Sequence, residues 1–205
     1  MSGKFALLLD GGFMTKRMQK HLGGSPTAAQ VVAECQRISS DARLAGLSLL
    51  RNYWYDARPA REVLTNPLDG STLDLSKSKL FRDATSRLDT LELSENFALR
   101  LGELSVRGWR IKNNVMRSIQ APGHNLVAGE LEPAIEQKGV DLRIGLDIAR
   151  LALRQLVDVI VVVSGDSDII PAFKFARREG LRVFLHSLGG SVKRDLEAHA
   201  DVVLG

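Results

Sequence analysis

The chain has a single cysteine, Cys35, in 205 residues. One thiol excludes an internal disulfide, and a cysteine-based zinc centre would lack its ligands. A catalytic metal would therefore rest mostly on oxygen. Long apolar runs are missing as well: the first one, Phe5 to Leu9, is too short for a signal peptide or a membrane span. The expectation is a soluble, cytoplasmic protein with no membrane partner. Internal repeats and low-complexity tracts are absent, and 205 residues at 44% hydrophobic content suit one α/β core spanning 1–205.

Acidic residues are absent from two stretches. Lys16, Arg17, Lys20 and His21 lie between Asp10 and Glu34; Arg107, Arg110, Lys112, Arg117 and His124 lie between Glu103 and Glu130, interleaved with Trp109. Such stretches can neutralise a phosphate backbone while an aromatic stacks on a base, and they serve equally well as ordinary solvated loops. The net charge of +4 and pI near 9.4 favour polyanions only weakly and say nothing about fold.

Phe5-Ala-Leu-Leu-Leu9 reads as a buried strand closed by Asp10, with a loop at Gly11-Gly12. Apolar spacing predicts a helix over 28–45 and a strand over 47–55, with turn residues marking 64–76 as a loop. A helix over 77–101, a strand over 104–112 and a loop over 120–129 follow. The last third is clearer. A helix over 140–155 is apolar almost all round, and Val157 to Val163 is a β-branched run typical of a central parallel strand. A helix over 169–179, a strand over 181–185, a helix over 191–200 and a short strand over 202–204 complete the pattern. The alternation argues for a parallel sheet covered on both faces by right-handed crossovers.

In such sheets, functional groups gather beyond the carboxyl ends of the strands. Asp10 and Asp166 fall there, and Asp168 stands at the entry to the next helix. Separately, each has a plain explanation: Asp10 as a turn carboxylate, Asp168 as a helix cap. Asp147 is the oddity, a carboxylate among Leu142, Ile144, Leu146, Ile148 and Leu151. Such a group needs compensation. Arg143 or Arg150 could supply it as an ion pair, or a metal at the sheet rim could. Asp141 is a helix cap or outer-shell ligand of the same site. Clustered carboxylates imply a cation, and Mg²⁺ or Mn²⁺ suits them. Such a centre fits phosphodiester hydrolysis, with Lys16, Arg17, Arg107, Arg110 and Lys112 holding the strand. Ser164 and Ser167 could donate to phosphate, although turn and cap roles explain them as well.

The segment Lys138-Gly-Val-Asp-Leu-Arg-Ile-Gly-Leu-Asp147, followed after a strand by Val163-Ser-Gly-Asp-Ser-Asp168, resembles the NYN domain family of PIN-like nucleases. The stretch from Phe173 to Val183 and the one from Ser191 to Asp201 also look like that family. The resemblance implies a Rossmann-like three-layer αβα fold, an acidic Mg²⁺ or Mn²⁺ site and RNA as the partner. Carried over by position, Asp10, Asp147, Asp166 and Asp168 are the catalytic acids; Lys138 and Asp141 match the edge of the first motif. Phe13 stands where many members have asparagine, and Ile169 replaces a frequent aromatic. The insertion-like stretch around 66–129 matches no motif.

The resulting expectation is a metal-dependent endoribonuclease. A non-catalytic RNA-binding module is the alternative, and a haloacid-dehalogenase-like phosphatase a weaker one, because Gly12 occupies the place of that family's second aspartate. Tyr53, Trp54 and Tyr55 could serve a homodimer interface, with buried strand packing as the plainer reading.

Overall fold

The computed structural model describes residues 3–116 and 123–204. β1 (Lys4–Asp10) leads directly into α1 (Gly11–Leu22); α2 (Ala28–Ser39) then precedes β2 (Ser48–Ala57). A small hairpin of β3 (Val63–Thr65) and β4 (Thr72–Asp74) is followed by α3 (Lys79–Glu92), β5 (Phe97–Ile111) and β6 (Leu131–Lys138). The remainder is α4 (Val140–Leu153), β7 (Val159–Val163), α5 (Ile170–Arg178), β8 (Arg182–His186), α6 (Arg194–Glu197) and β9 (Val202–Leu204). Among the described residues no helix is long and apolar enough to cross a membrane.

The main sheet has the order β6-β5-β2-β1-β7-β8-β9. It is parallel throughout except at β6, which runs antiparallel to β5. This is the expected three-layer αβα architecture with a mostly parallel sheet. Period-two alternation explains the layers. Phe5, Leu7, Leu9, Val159, Val161 and Val163 face one core with α1, α2 and α3; Ala6, Leu8, Ile160 and Val162 face the other with α4 and α5. Leu7, Leu8 and Leu9 are wholly removed from water, worth about 1.5–3 kcal/mol each. The chain leaves β1 toward β2 on one side and returns to β7 on the other. The carboxyl ends of β1 and β7 therefore form the switch point where open α/β sheets place their sites.

Several elements depart from the sequence expectations. The loop expected at Gly11-Gly12 is the first turn of α1, because Asp10 caps that helix by accepting from the Phe13 amide at 3.0 Å. The helix expected over 28–45 ends at Ser39, with a separate turn at Ala42–Leu44. The helix expected over 77–101 ends at Glu92; Asn96 takes a φ of 61°, and Phe97 begins a strand. Phe97, Leu99 and Leu101 suit either period, and pairing of β5 with β2 decides. The loop expected over 64–76 contains the β3–β4 hairpin, and the helix expected over 191–200 reduces to α6. β6 was not legible at all: a charged edge strand containing Pro133 gives little apolar alternation. Of the loop expected over 120–129, positions 120–122 lie outside the described residues, as does Arg117. Tyr53, Trp54 and Tyr55 are buried strand residues.

Candidate active site at the rim of the sheet

Asp10 ends β1 at the switch point. Its neighbour in β7 register is Val163 opposite Leu9, which brings Ser164 alongside. The Ser164 hydroxyl donates to Asp10 Oδ2 at 3.1 Å and accepts from the Asp166 amide at 3.1 Å. Asp166 in turn accepts from the Asp168 amide at 3.0 Å. One hydroxyl thus ties the first acid to the turn carrying the next two. Ser164 is 1% exposed, which removes it from the surface that would meet a strand and makes it a positioning residue.

Electrostatics link one more carboxylate to these three. Burial pushes the Asp10 carboxyl above its usual range; the Phe13 amide and Ser164 hydroxyl oppose this, and the charges of Asp141 and Asp56 add to it. Asp141, in the first turn of α4, is raised by partial burial and then by Asp166 and Asp168. Asp141 thus lies within electrostatic reach of Asp10 on one side and of Asp166 and Asp168 on the other.

Asp147 is committed elsewhere. Its Oδ2 accepts from the Tyr55 hydroxyl at 2.9 Å and from Arg100 Nε at 2.9 Å, with its side chain 14% exposed. Asp147 is six residues beyond Asp141, about 9 Å along the helix axis. The compensation that its apolar setting demanded comes from β2 and β5, and Arg143 instead donates to the Gly139 carbonyl at 2.8 Å.

Asp56, near the end of β2, was overlooked in the sequence. Its Oδ1 accepts from the Ala57 amide at 2.8 Å, and its Oδ2 from Trp54 Nε1 at 3.3 Å. Burial raises its pKa against these bonds and the charge of Arg87. The signal was available: Asp56 closes an apolar strand just as Asp10 does.

Phe13 replaces the polar contact expected of an asparagine with a wall. A Cβ on Gly165 would lie 2.5 Å from the Phe13 ring, so the ring rests on the backbone beside Asp166, and only glycine leaves room. The Arg17 guanidinium lies over that ring, 5.3 Å from its centroid. It also fills the space a side chain on Gly190 would need.

The remaining cations separate into two groups. Lys16 is exposed on α1, Lys138 is exposed at the end of β6 beside the rim, and Lys193 Nζ donates to Ser167 Oγ at 3.2 Å. By contrast, the run from Arg107 to Lys112 folds against β6. Arg107 pairs with Glu136 at 3.1 Å and Arg110 with Glu132 at 2.8 Å, while Lys112 donates to the Gly129 carbonyl at 2.6 Å. Trp109 donates to the Thr65 carbonyl at 2.8 Å. The acid-free stretch is thus neutralised by an acidic strand that sequence separation concealed.

A divalent cation fits this donor set by chemistry. The groups are hard oxygens, and two of them carry pKa values raised partly by mutual repulsion. Among the described residues, no three carboxylate, imidazole or thiolate groups stand close enough to share an ion as arranged. Burial of these carboxylates, with repulsion added at Asp10 and Asp141, has a measurable consequence. Asp10, Asp56 and Asp141 hold their protons more tightly folded than unfolded. Their contribution is therefore fully present below the ordinary value of 3.8 and is lost as pH rises through the raised folded values. Asp141→Asn should stabilise the metal-free protein near neutral pH by about 0.5 kcal/mol, the small size reflecting solvent screening. It should also flatten the loss of stability with rising pH. Thermal melts in chelator across pH measure both.

The mostly parallel seven-stranded sheet with helices on both faces is consistent with a PIN-like three-layer fold. Residues 100–204 of the chain match the NYN domain family, and the chain belongs to that family. PIN-like nucleases of this kind generally use divalent metals. The structure is similar to the crystal structure of a protein of unknown function from Vibrio parahaemolyticus. The TM-score is 0.55 at 14% identity, covering 99% of this chain and 92% of that one. No curated protein matches the sequence significantly.

Proposed function

We propose that the protein is a metal-dependent endoribonuclease whose cation is held by Asp10, Asp141, Asp166 and Asp168. The observation that supports this most is the meeting of Asp10 with the Asp166–Asp168 turn at the carboxyl ends of β1 and β7, joined through the Ser164 hydroxyl. Membership of a nuclease family agrees with it. A bound Mg²⁺ or Mn²⁺ supplies Lewis acidity and a water of lowered pKa for attack on phosphorus.

The chain's own residues do the rest. Ser164 fixes Asp10 relative to the Asp166 turn, so that two acids from different strands converge. Lys16, Lys138 and Lys193 offer charge for backbone phosphates around the rim. Phe13 packs on Gly165 beside Asp166 with Arg17 over its ring, and so walls the acids there. Asp141 takes the helical acid's role in place of Asp147, whose carboxylate already serves Tyr55 and Arg100.

A second reading, an RNA-binding module without turnover, is favoured by the lack of three preassembled ligands among the described residues. Labelled single-stranded RNA incubated with Mn²⁺ and either wild-type protein or Asp166→Asn separates the two. The nuclease reading expects internal cuts by wild type alone. Retention of intact RNA by both proteins contradicts it and favours the binding module.

A further inference from the structure

The face of the sheet that carries α2 and α3 holds a cavity of about 510 Å³ between the N-terminus of α2 and the flank of α3. Arg87 forms part of its wall and is only 5% exposed. Arg87 Nη1 donates to Ser25 Oγ at 3.0 Å and to the Pro26 carbonyl at 3.2 Å, whereas its buried Nε has no hydrogen-bond partner among the described residues. An unpaired donor on a buried guanidinium is costly, and arginine has no neutral form to retreat to. Burial pulls its pKa down, and the charges of Asp56 and Asp83 only partly offset that.

The same cavity receives the positive end of a helix. The capping box of Thr27 and Gln30 closes α2, and Ala28 and Ala29 of its first turn line the space. Lys79 and Arg82 add two more cations. Asp83, the acidic residue of the lining, is engaged by Lys79 at 2.6 Å. Arg82 donates to the Lys77 carbonyl at 2.8 Å from the exposed lip. Charge excess, a helix N-terminus and the buried Arg87 guanidinium line one space. Their complement is a compact anion with several acceptor oxygens, which a phosphate monoester provides.

The cavity's position ties it to the rim. Asp56 Oδ2 lies 2.9 Å from where a Cβ on Gly11 would stand, next to Asp10, and Asp56 is within electrostatic reach of Arg87. We infer that this cavity binds the terminal phosphate of a nucleic-acid strand whose body then crosses the aspartate rim. The inference rests on the nuclease reading for the identity of the strand, but not for the anion site itself.

The test uses the full chain in chelator, so that no strand is cut. Inorganic phosphate is titrated while the Arg87 Nε–Hε resonance is followed by NMR. Fluorescence anisotropy then compares one short single-stranded RNA bearing a 5′-phosphate, a 3′-phosphate, or hydroxyls at both ends. Phosphate should shift the resonance, and one of the two phosphorylated ends should bind about tenfold more tightly than the hydroxyl form. Arg87→Lys should remove that preference and leave the affinity for hydroxyl-ended RNA unchanged. Arg82→Gln, at the exposed lip, should reduce the preference and keeps the test valid if the buried substitution unfolds the protein. A resonance indifferent to phosphate, or equal affinity for all three RNAs, overturns the inference. RNA bound with an end preference yet left uncut in Mn²⁺ sinks the nuclease reading and leaves the phosphate site standing; cleavage without end preference does the reverse.

Discussion

Asp10→Asn should abolish Mn²⁺-dependent RNA cleavage, with a loss of about a thousandfold or more. A cation at a phosphoryl centre supplies several kcal/mol of charge stabilisation, and each 1.36 kcal/mol is a decade in rate. Asparagine keeps an oxygen that can accept from the Phe13 amide, so the cap of α1 survives, and its amide can donate to the Ser164 hydroxyl. The substitution also removes a carboxylate that burial and Asp141 disfavour. The metal-free protein should therefore melt no lower than wild type near neutral pH. Activity assays and thermal melts on the same preparation check both halves. A large fall in melting temperature would make Asp10 a structural group instead.

Asp147→Ala should give the opposite pair of results. Its carboxylate accepts from Tyr55 and Arg100, and removing it leaves a wholly buried tyrosine hydroxyl and a half-buried guanidinium without that acceptor. Breaking such a pair costs about 2–4 kcal/mol. That corresponds to a fall of about 5–15 °C in Tm for a chain of this size. Cleavage per folded molecule should persist at the wild-type rate below the melting transition. Loss of cleavage with unchanged melting would return Asp147 to the metal site.

These two aspartates show what the sequence could and could not reveal. The strands β1, β7 and β8, and with them the rim, were legible because fully buried parallel strands are continuous apolar runs. Asp10, Asp166 and Asp168 were visible as the residues that end or follow such runs. The need of Asp147 for compensation is legible, but the sequence offers only Arg143 or Arg150 on its own helix, or a metal at the rim, as the source. Arg100 is 47 positions away in sequence, and helical spacing carries no information about a residue on β5. The same blindness affected the basic run at Arg107 and Arg110. Its neutralising acids, Glu132 and Glu136, lie on β6, an edge strand whose charges hide its period. Helical spacing sets Asp141 about 120° around the helix from Asp147, and at the start of α4 it feels the charges of Asp166 and Asp168.

Phe13 was a departure whose consequence could not be read in advance. A residue substituted for asparagine suggests only a lost polar contact. Its ring instead occupies the room left by Gly165 and supports Arg17 against Gly190, linking the first helix to the loops after β7 and β8. That wall bounds the acids in this chain and gives the site a shape that the acidic motifs alone do not encode.

The central claim is that one cation is shared by Asp10, Asp141, Asp166 and Asp168, and anomalous scattering from a crystal soaked in Mn²⁺ tests it most directly. The account predicts a peak among those four carboxylates, with Asp147 still bonded to Tyr55 and Arg100. A Mn²⁺ peak at Asp147, or a fully soaked crystal with no peak at the β1–β7 rim, would contradict it.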